Sequence, residues 1–143
     1  MAASGLRHLN EVINAEQQAI AIYEAQVFWR PGNSGSIFRE ILAEERIHNQ
    51  SIRPFAQHQT KTLTFRPLNI LVGWLFGTLL SILPRKMCYQ IHVWAENNAA
   101  KTYEKAAKKI TQDVSPELFS ALTHAALQEH QHAERFRTKL VKL

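Results

Sequence analysis

One short stretch occurs twice in this 143-residue chain, and with a second repeated spacing it constrains what the chain can fold into. Ala15-Glu16-Gln17-Gln18-Ala19 is followed by Tyr23-Glu24, and Ala95-Glu96-Asn97-Asn98-Ala99 by Tyr103-Glu104. About thirty residues behind each copy stands a Glu-x-x-His: Glu45 with His48, then Glu129 with His132. Residues three apart on a helix lie on one face, a turn from each other, so each motif can grip a single ion. With eleven Glu and seven His in the chain, one such spacing is ordinary. Two, each behind a copy of the repeat, are not.

Position adds to spacing. Glu16, Glu45, Glu96 and Glu129 each interrupt an apolar stripe of helical period. A carboxylate left alone there would take up a proton rather than stay charged. Four carboxylates balance two divalent cations, and two neutral imidazoles complete the set. Glutamate and imidazole with open positions suit iron, or manganese, better than a closed zinc site. Helical bundles hold two metals with one Glu from each of two helices and a Glu-x-x-His from each of the other two. In that arrangement Glu45 and Glu129 bridge the ions, Glu16 and Glu96 are terminal, and His48 and His132 complete the set.

The rest of the chain supplies the helices. Leu6, Leu9, Val12, Glu16, Ile20, Tyr23 and Val27 form one stripe, ended by Arg30-Pro31-Gly32. A second helix runs to about Gln57, with Phe38, Ile41, Leu42, Glu45, His48, Ile52 and Phe55 facing in. Ser34 or Ser36 is placed to cap it, and Pro54 to kink or fray its end. After a polar stretch from His58 to Arg66, residues 67–84 carry no charge. Residues 86–110 give a third amphipathic helix with lysines in its last turns. A turn at 111–114 and the cap signal Ser115-Pro116-Glu117 lead into the fourth. The expectation is an all-α, single-domain four-helix bundle of two hairpins, 6–57 and 86–141, joined by an apolar helix.

Residues 67–84 admit three readings: a membrane span, a helix buried in the bundle or an oligomer, or a surface helix dipping into one leaflet. As a helix they reach only about 27 Å, short for a hydrocarbon layer of roughly 30 Å. Gly73, Trp74 and Gly77 point to a bent interfacial element, with Trp74 and Phe76 toward substrate or membrane. Tyr23 and Tyr103 lie two turns from Glu16 and Glu96 on the same faces, as cavity residues or as core.

The formal charge is +5, but the basic residues are scattered and no nucleic-acid motif accompanies them, so nucleic acid is not an expected partner. Cys88 is the single cysteine, expected as a small buried residue. No secretory signal or transit peptide is legible at the N-terminus. His8, His58, His92 and His124 have no partner at ligand spacing and read as structural or surface. His130 points away from His132.

Glu16 ahead of Ile22-Tyr23, Glu45 with His48, the apolar segment, Glu96 with Tyr103, and Glu129 with His132 together resemble the demethoxyubiquinone hydroxylases of ubiquinone biosynthesis, within the ferritin-like di-iron group. The likeness runs from about residue 6 to 140. It departs at Ala15 and Gln17-Gln18, where the family often has glycines, and at Thr102, where it commonly has histidine. The resemblance implies a ferritin-like fold and two iron ions on Glu16, Glu45, His48, Glu96, Glu129 and His132. It implies oxygen-dependent monooxygenation of a polyprenyl quinol, with Tyr103 as catalytic residue and Tyr23, Trp74 and Phe76 near substrate or membrane. It further implies a peripheral position on the cytoplasmic side of a bacterial inner membrane, with accessory proteins of quinone biosynthesis or a homo-oligomer as partners. A ferritin-like iron-binding or iron-oxidising protein, or a hydroxylase of another quinone or phenol, stays open as the alternative.

Overall fold

The computed structural model describes residues 3–59, 67–110 and 115–143. The expected polar stretch 58–66 lies largely outside them, as do the side chains of Leu6 and His58 and the turn at 111–114. Five α-helices carry the fold, with no strand among the described residues: α1 Ala3–Trp29, α2 Ser36–Gln59, α3 Pro67–Ile82, α4 Arg85–Lys109 and α5 Pro116–Val141. Helices α1 and α2 form one hairpin and α4 and α5 the other; α1 packs on α4 and α2 on α5, giving the ring order α1, α2, α5, α4. This is an all-α, ferritin-like helical bundle.

The apolar side chains separate into two clusters. One gathers Leu9, Val12, Ile52, Ile110, Leu118 and Leu122. The other gathers Ile37, Phe38, Ile41, Tyr89 and Phe136 with Tyr23. On every helix of the ring a glutamate stands between them: Glu16, Glu45, Glu96 and Glu129 are each 5% exposed or less. Apolar packing above and below thus fixes the height of a polar layer within the bundle.

The apolar helix α3 stands outside the ring, along α1. Its two glycines lie against α1. The helix is continuous through both, and they bring its backbone onto α1. A Cβ on Gly73 would stand 2.7 Å from the Gln18 carbonyl oxygen, and one on Gly77 2.3 Å from that of Ile22. The pair works as the glycine spacing of close-packed helices does, with Ala21 and Ala25 of α1 opposite. Arg30, just past the end of α1, donates to the carbonyls of Ser81 at 2.9 Å and Leu83 at 3.1 Å, closing the end of α3. The membrane-span reading fails: no helix among the described residues is long and apolar enough to cross a membrane. The outer face of α3 remains exposed at Leu68, Leu71, Val72, Leu75, Leu79 and Ile82.

Helix α2 runs through Pro54 to Gln59, close to the expected end; Pro54 and Gln50, whose carbonyl loses its partner there, are exposed, so water can serve it. Two local expectations are corrected. The Ser34 hydroxyl donates to the Pro31 carbonyl in a 3-10 turn over Gly32–Gly35 rather than capping α2. Ser115 stands at the N-cap of α5, but its side chain makes no capping bond; Pro116 and Glu117 occupy the first turn as expected.

Candidate metal centre

All six motif side chains converge on the polar layer. Glu16, Glu45, His48 and Glu129 form one group whose ligand atoms lie within 4.8 Å of one another, and Glu45, Glu96, Glu129 and His132 form a second. Glu45 and Glu129 belong to both. The His48 Nδ1 lies 3.3 Å from Glu129, 3.7 Å from Glu45 and 3.9 Å from Glu16. The His132 Nδ1 lies 3.4 Å from Glu45 and Glu96 and 3.5 Å from Glu129.

Electrostatics favour positive charge inside this cluster, which could hold metal ions. Burial, reinforced by Glu45 and Glu129, drives the Glu16 carboxyl far above the usual carboxylate range. Burial and then Glu45 push Glu129 up to about 8. Burial disfavours a charged His48, yet Glu129 and Glu45 outweigh it and push the ring up to about 11. His132 moves the same way for the same reason. Burial raises Glu96 too, but the His132 and His92 rings override it and hold Glu96 well below the usual range. Four buried carboxylates this close cannot all stay charged unless positive charge stands among them. The donor atoms also fit: Nδ1 of both histidines, Oε2 of Glu16 and Oε1 of Glu129 are buried without a hydrogen-bond partner. A pair of divalent ions would engage all four.

The outer side of each imidazole is fixed. His48 Nε2 meets the Gln128 amide oxygen at 2.7 Å, and His132 Nε2 the Glu44 carboxylate at 2.8 Å. These contacts keep a proton on Nε2 and aim Nδ1 at the cluster, where a metal ion would take the place of its proton. Neither Glu44 nor Gln128 was found by motif spacing. Their signal is that each directly precedes a glutamate shared by both groups, and so points across to the neighbouring helix.

Tyr23 is buried; its hydroxyl donates to Glu96 and meets His92 Nδ1 at 3.1 Å. Burial and then Glu96 raise its pKa well above the ordinary value, so it stays a donor. His92, expected to be structural or surface, is buried one turn before Glu96 and stacks on Phe136 at 4.6 Å. The four-residue spacing to Glu96 was its signal. His130 faces out and pairs with Glu104, and His124 is exposed.

A cavity of about 270 Å³ opens against the cluster between α1, α4 and α3. Glu16, Glu45, Glu96 and Glu129 reach it, and Ala19, Ile22, Phe76, Leu80, Ile91 and Ala99 supply much of its apolar wall. Tyr23, His92, Thr102 and Tyr103 also line it, and the buried Tyr103 hydroxyl has no hydrogen-bond partner. Trp74 does not line it; its ring packs against Phe28 in a tilted arrangement, centroids 5.7 Å apart.

Searches of curated proteins and of solved structures return no match. A scan of family models matches residues 12–142 to "Ubiquinone biosynthesis protein COQ7". That span takes in α1 from Val12 onward, all of α2 to α5 and every residue of the cluster. The chain therefore belongs to the COQ7 family of demethoxyubiquinone hydroxylases, and its role is a hydroxylase-type one in ubiquinone biosynthesis.

Proposed function

We propose that the chain is an oxygen-dependent di-iron monooxygenase that hydroxylates the ring of a polyprenyl quinol. The observation that carries this reading is the pair of four-residue groups sharing Glu45 and Glu129 and opening onto an apolar cavity. The balanced reaction inserts one oxygen atom of O2 into a ring C–H and releases the other as water, using two electrons and two protons from an external reductant. Iron bound by Glu16, Glu45, His48, Glu96, Glu129 and His132 supplies the oxygen chemistry; manganese is the other metal the donor set suits.

The chain's own residues position the substrate and exclude water. Ile22, Leu80 and Ile91 form a dry wall against the ring. The unpartnered Tyr103 hydroxyl is placed to donate to a ring oxygen. The Tyr23 hydroxyl holds its proton toward Glu96 and keeps that carboxylate in place. Phe76 belongs both to the cavity wall and to the exposed face of α3, being 41% exposed. We assign that face to a membrane surface, with the protein peripheral and the lipid substrate entering beside Phe76. An apolar helix face this open, on a chain that acts on a lipid-soluble ring, supports the assignment.

The test is purified protein with iron, O2, a reductant and a demethoxyubiquinol. The expected result is about two irons per chain and a hydroxylated ring. Many irons per chain with no organic product would instead support the iron-oxidising alternative.

A further inference from the structure

The two halves of the centre carry the same side chains toward the cluster and different ones behind it. Behind His132, Nε2 donates to the Glu44 carboxylate, which Arg135 also grips with two nitrogens at 2.8 and 3.2 Å. Behind His48, Nε2 donates to the neutral amide of Gln128. Glu44 precedes Glu45 and Gln128 precedes Glu129, so the repeat keeps the position and changes the charge. The terminal carboxylates differ as well. Tyr23 holds Glu96 through Oε1 and leaves Oε2 3.4 Å from His132 Nδ1. Tyr103, the matching tyrosine of the second copy, does nothing comparable for Glu16: its hydroxyl and Glu16 Oε2 are both buried and unpartnered.

Both differences act in one direction. A carboxylate behind an imidazole raises its basicity and fixes its orientation more firmly than an amide does. Arg135 takes up part of that charge while anchoring the carboxylate. A terminal ligand already tied down needs less ordering when an ion arrives than a free one. We propose that the two metal positions are unequal: the half-site of Glu96 and His132 fills first and tightly, and the half-site of Glu16 and His48 is the weaker, exchangeable position. This rests on the di-metal reading above and goes beyond it. Glu44, Gln128 and Tyr23 are positioning residues, acting through the ligands they touch. Losing such a partner typically costs about 10–100-fold in metal affinity, which sets the scale of the inequality.

The experiment is a titration of the metal-free protein with Mn(II), followed by electron paramagnetic resonance. At one equivalent the spectrum should be dominated by isolated Mn(II), with the spin-coupled pair growing in only with the second. His48→Ala should keep the tight ion, and His132→Ala should lose it. Glu44→Gln should weaken the first affinity about 10–100-fold, Glu44→Asp should restore part of it, and Gln128→Glu should tighten the second. Circular dichroism of each metal-free variant identifies any that misfold. The charge swaps carry the test if a histidine variant does so. A pair signal that grows from the first addition, equal affinities, or a tighter ion surviving in His132→Ala would overturn the proposal and leave the di-metal reading standing. No Mn(II) or iron binding at all would overturn both.

Discussion

Glu45 and Glu129 each belong to both ligand groups, whereas Glu16 and Glu96 each belong to one. That difference is readable as metal content. Glu45→Ala should reduce bound metal toward none, while Glu16→Ala should leave one ion per chain, measured by elemental analysis after desalting. A similar reading applies to Tyr23, whose hydroxyl joins Glu96 and His92 in a dry site. Tyr23→Phe leaves both buried groups short of a partner. It should destabilise the metal-free protein by about 1–3 kcal/mol in urea unfolding. The Glu and His positions were legible because ligand spacing repeats in the sequence. Glu44 and Gln128 were not singled out, because their partners stand on other helices; His92 stands four residues before Glu96, but its contact with Tyr23 also crosses between helices.

At the scale of the element, α3 combines a small inner face with a large apolar outer one. The inner face is set by backbone approach. Valine at Gly77 would drive its Cβ into the Ile22 carbonyl, an atom with no rotamer to escape into. Gly77→Val should cost about 1–3 kcal/mol or more and expose α3 to limited proteolysis. The outer face tests the proposed membrane role. Leu75 and Leu79 are 60% and 51% exposed, so Leu75→Glu with Leu79→Glu should leave unfolding within about 0.5 kcal/mol per site. The same pair should abolish co-sedimentation with anionic phospholipid vesicles. Unchanged sedimentation would remove the membrane assignment. The absence of charge made α3 recognisable as one apolar element. Which of its faces is covered depended on where α1 lies, and the glycines took their meaning from that neighbour.

For the molecule as a whole, two apolar clusters clamp a layer of like charges, and the stability of the metal-free protein should show it. Glu129 is raised from 4.5 to about 8, so the stability it contributes is present below 4.5 and lost as pH rises toward 8. His48, raised from 6.5 to about 11, adds a loss of the same sign from 6.5 upward. Thermal melts of metal-free protein should therefore show a lower Tm at pH 8 than at pH 6. Saturating iron or manganese should raise Tm and remove most of that dependence, because the cations take over the charge the protons balanced.

The sequence by itself determined the helical content, the inward face of each helix and the heights of the four glutamates, because apolar period and Glu-x-x-His spacing are local properties of a helix. Only the tertiary structure decided what stands behind each histidine and how Tyr23 crosses to the opposite copy's Glu96. Those follow from the ring order of the helices, which no local period encodes. The repeat makes the two halves look equivalent in sequence. In the fold, Glu44 and Tyr23 stand behind the ligands of one half only, and this makes the halves unequal.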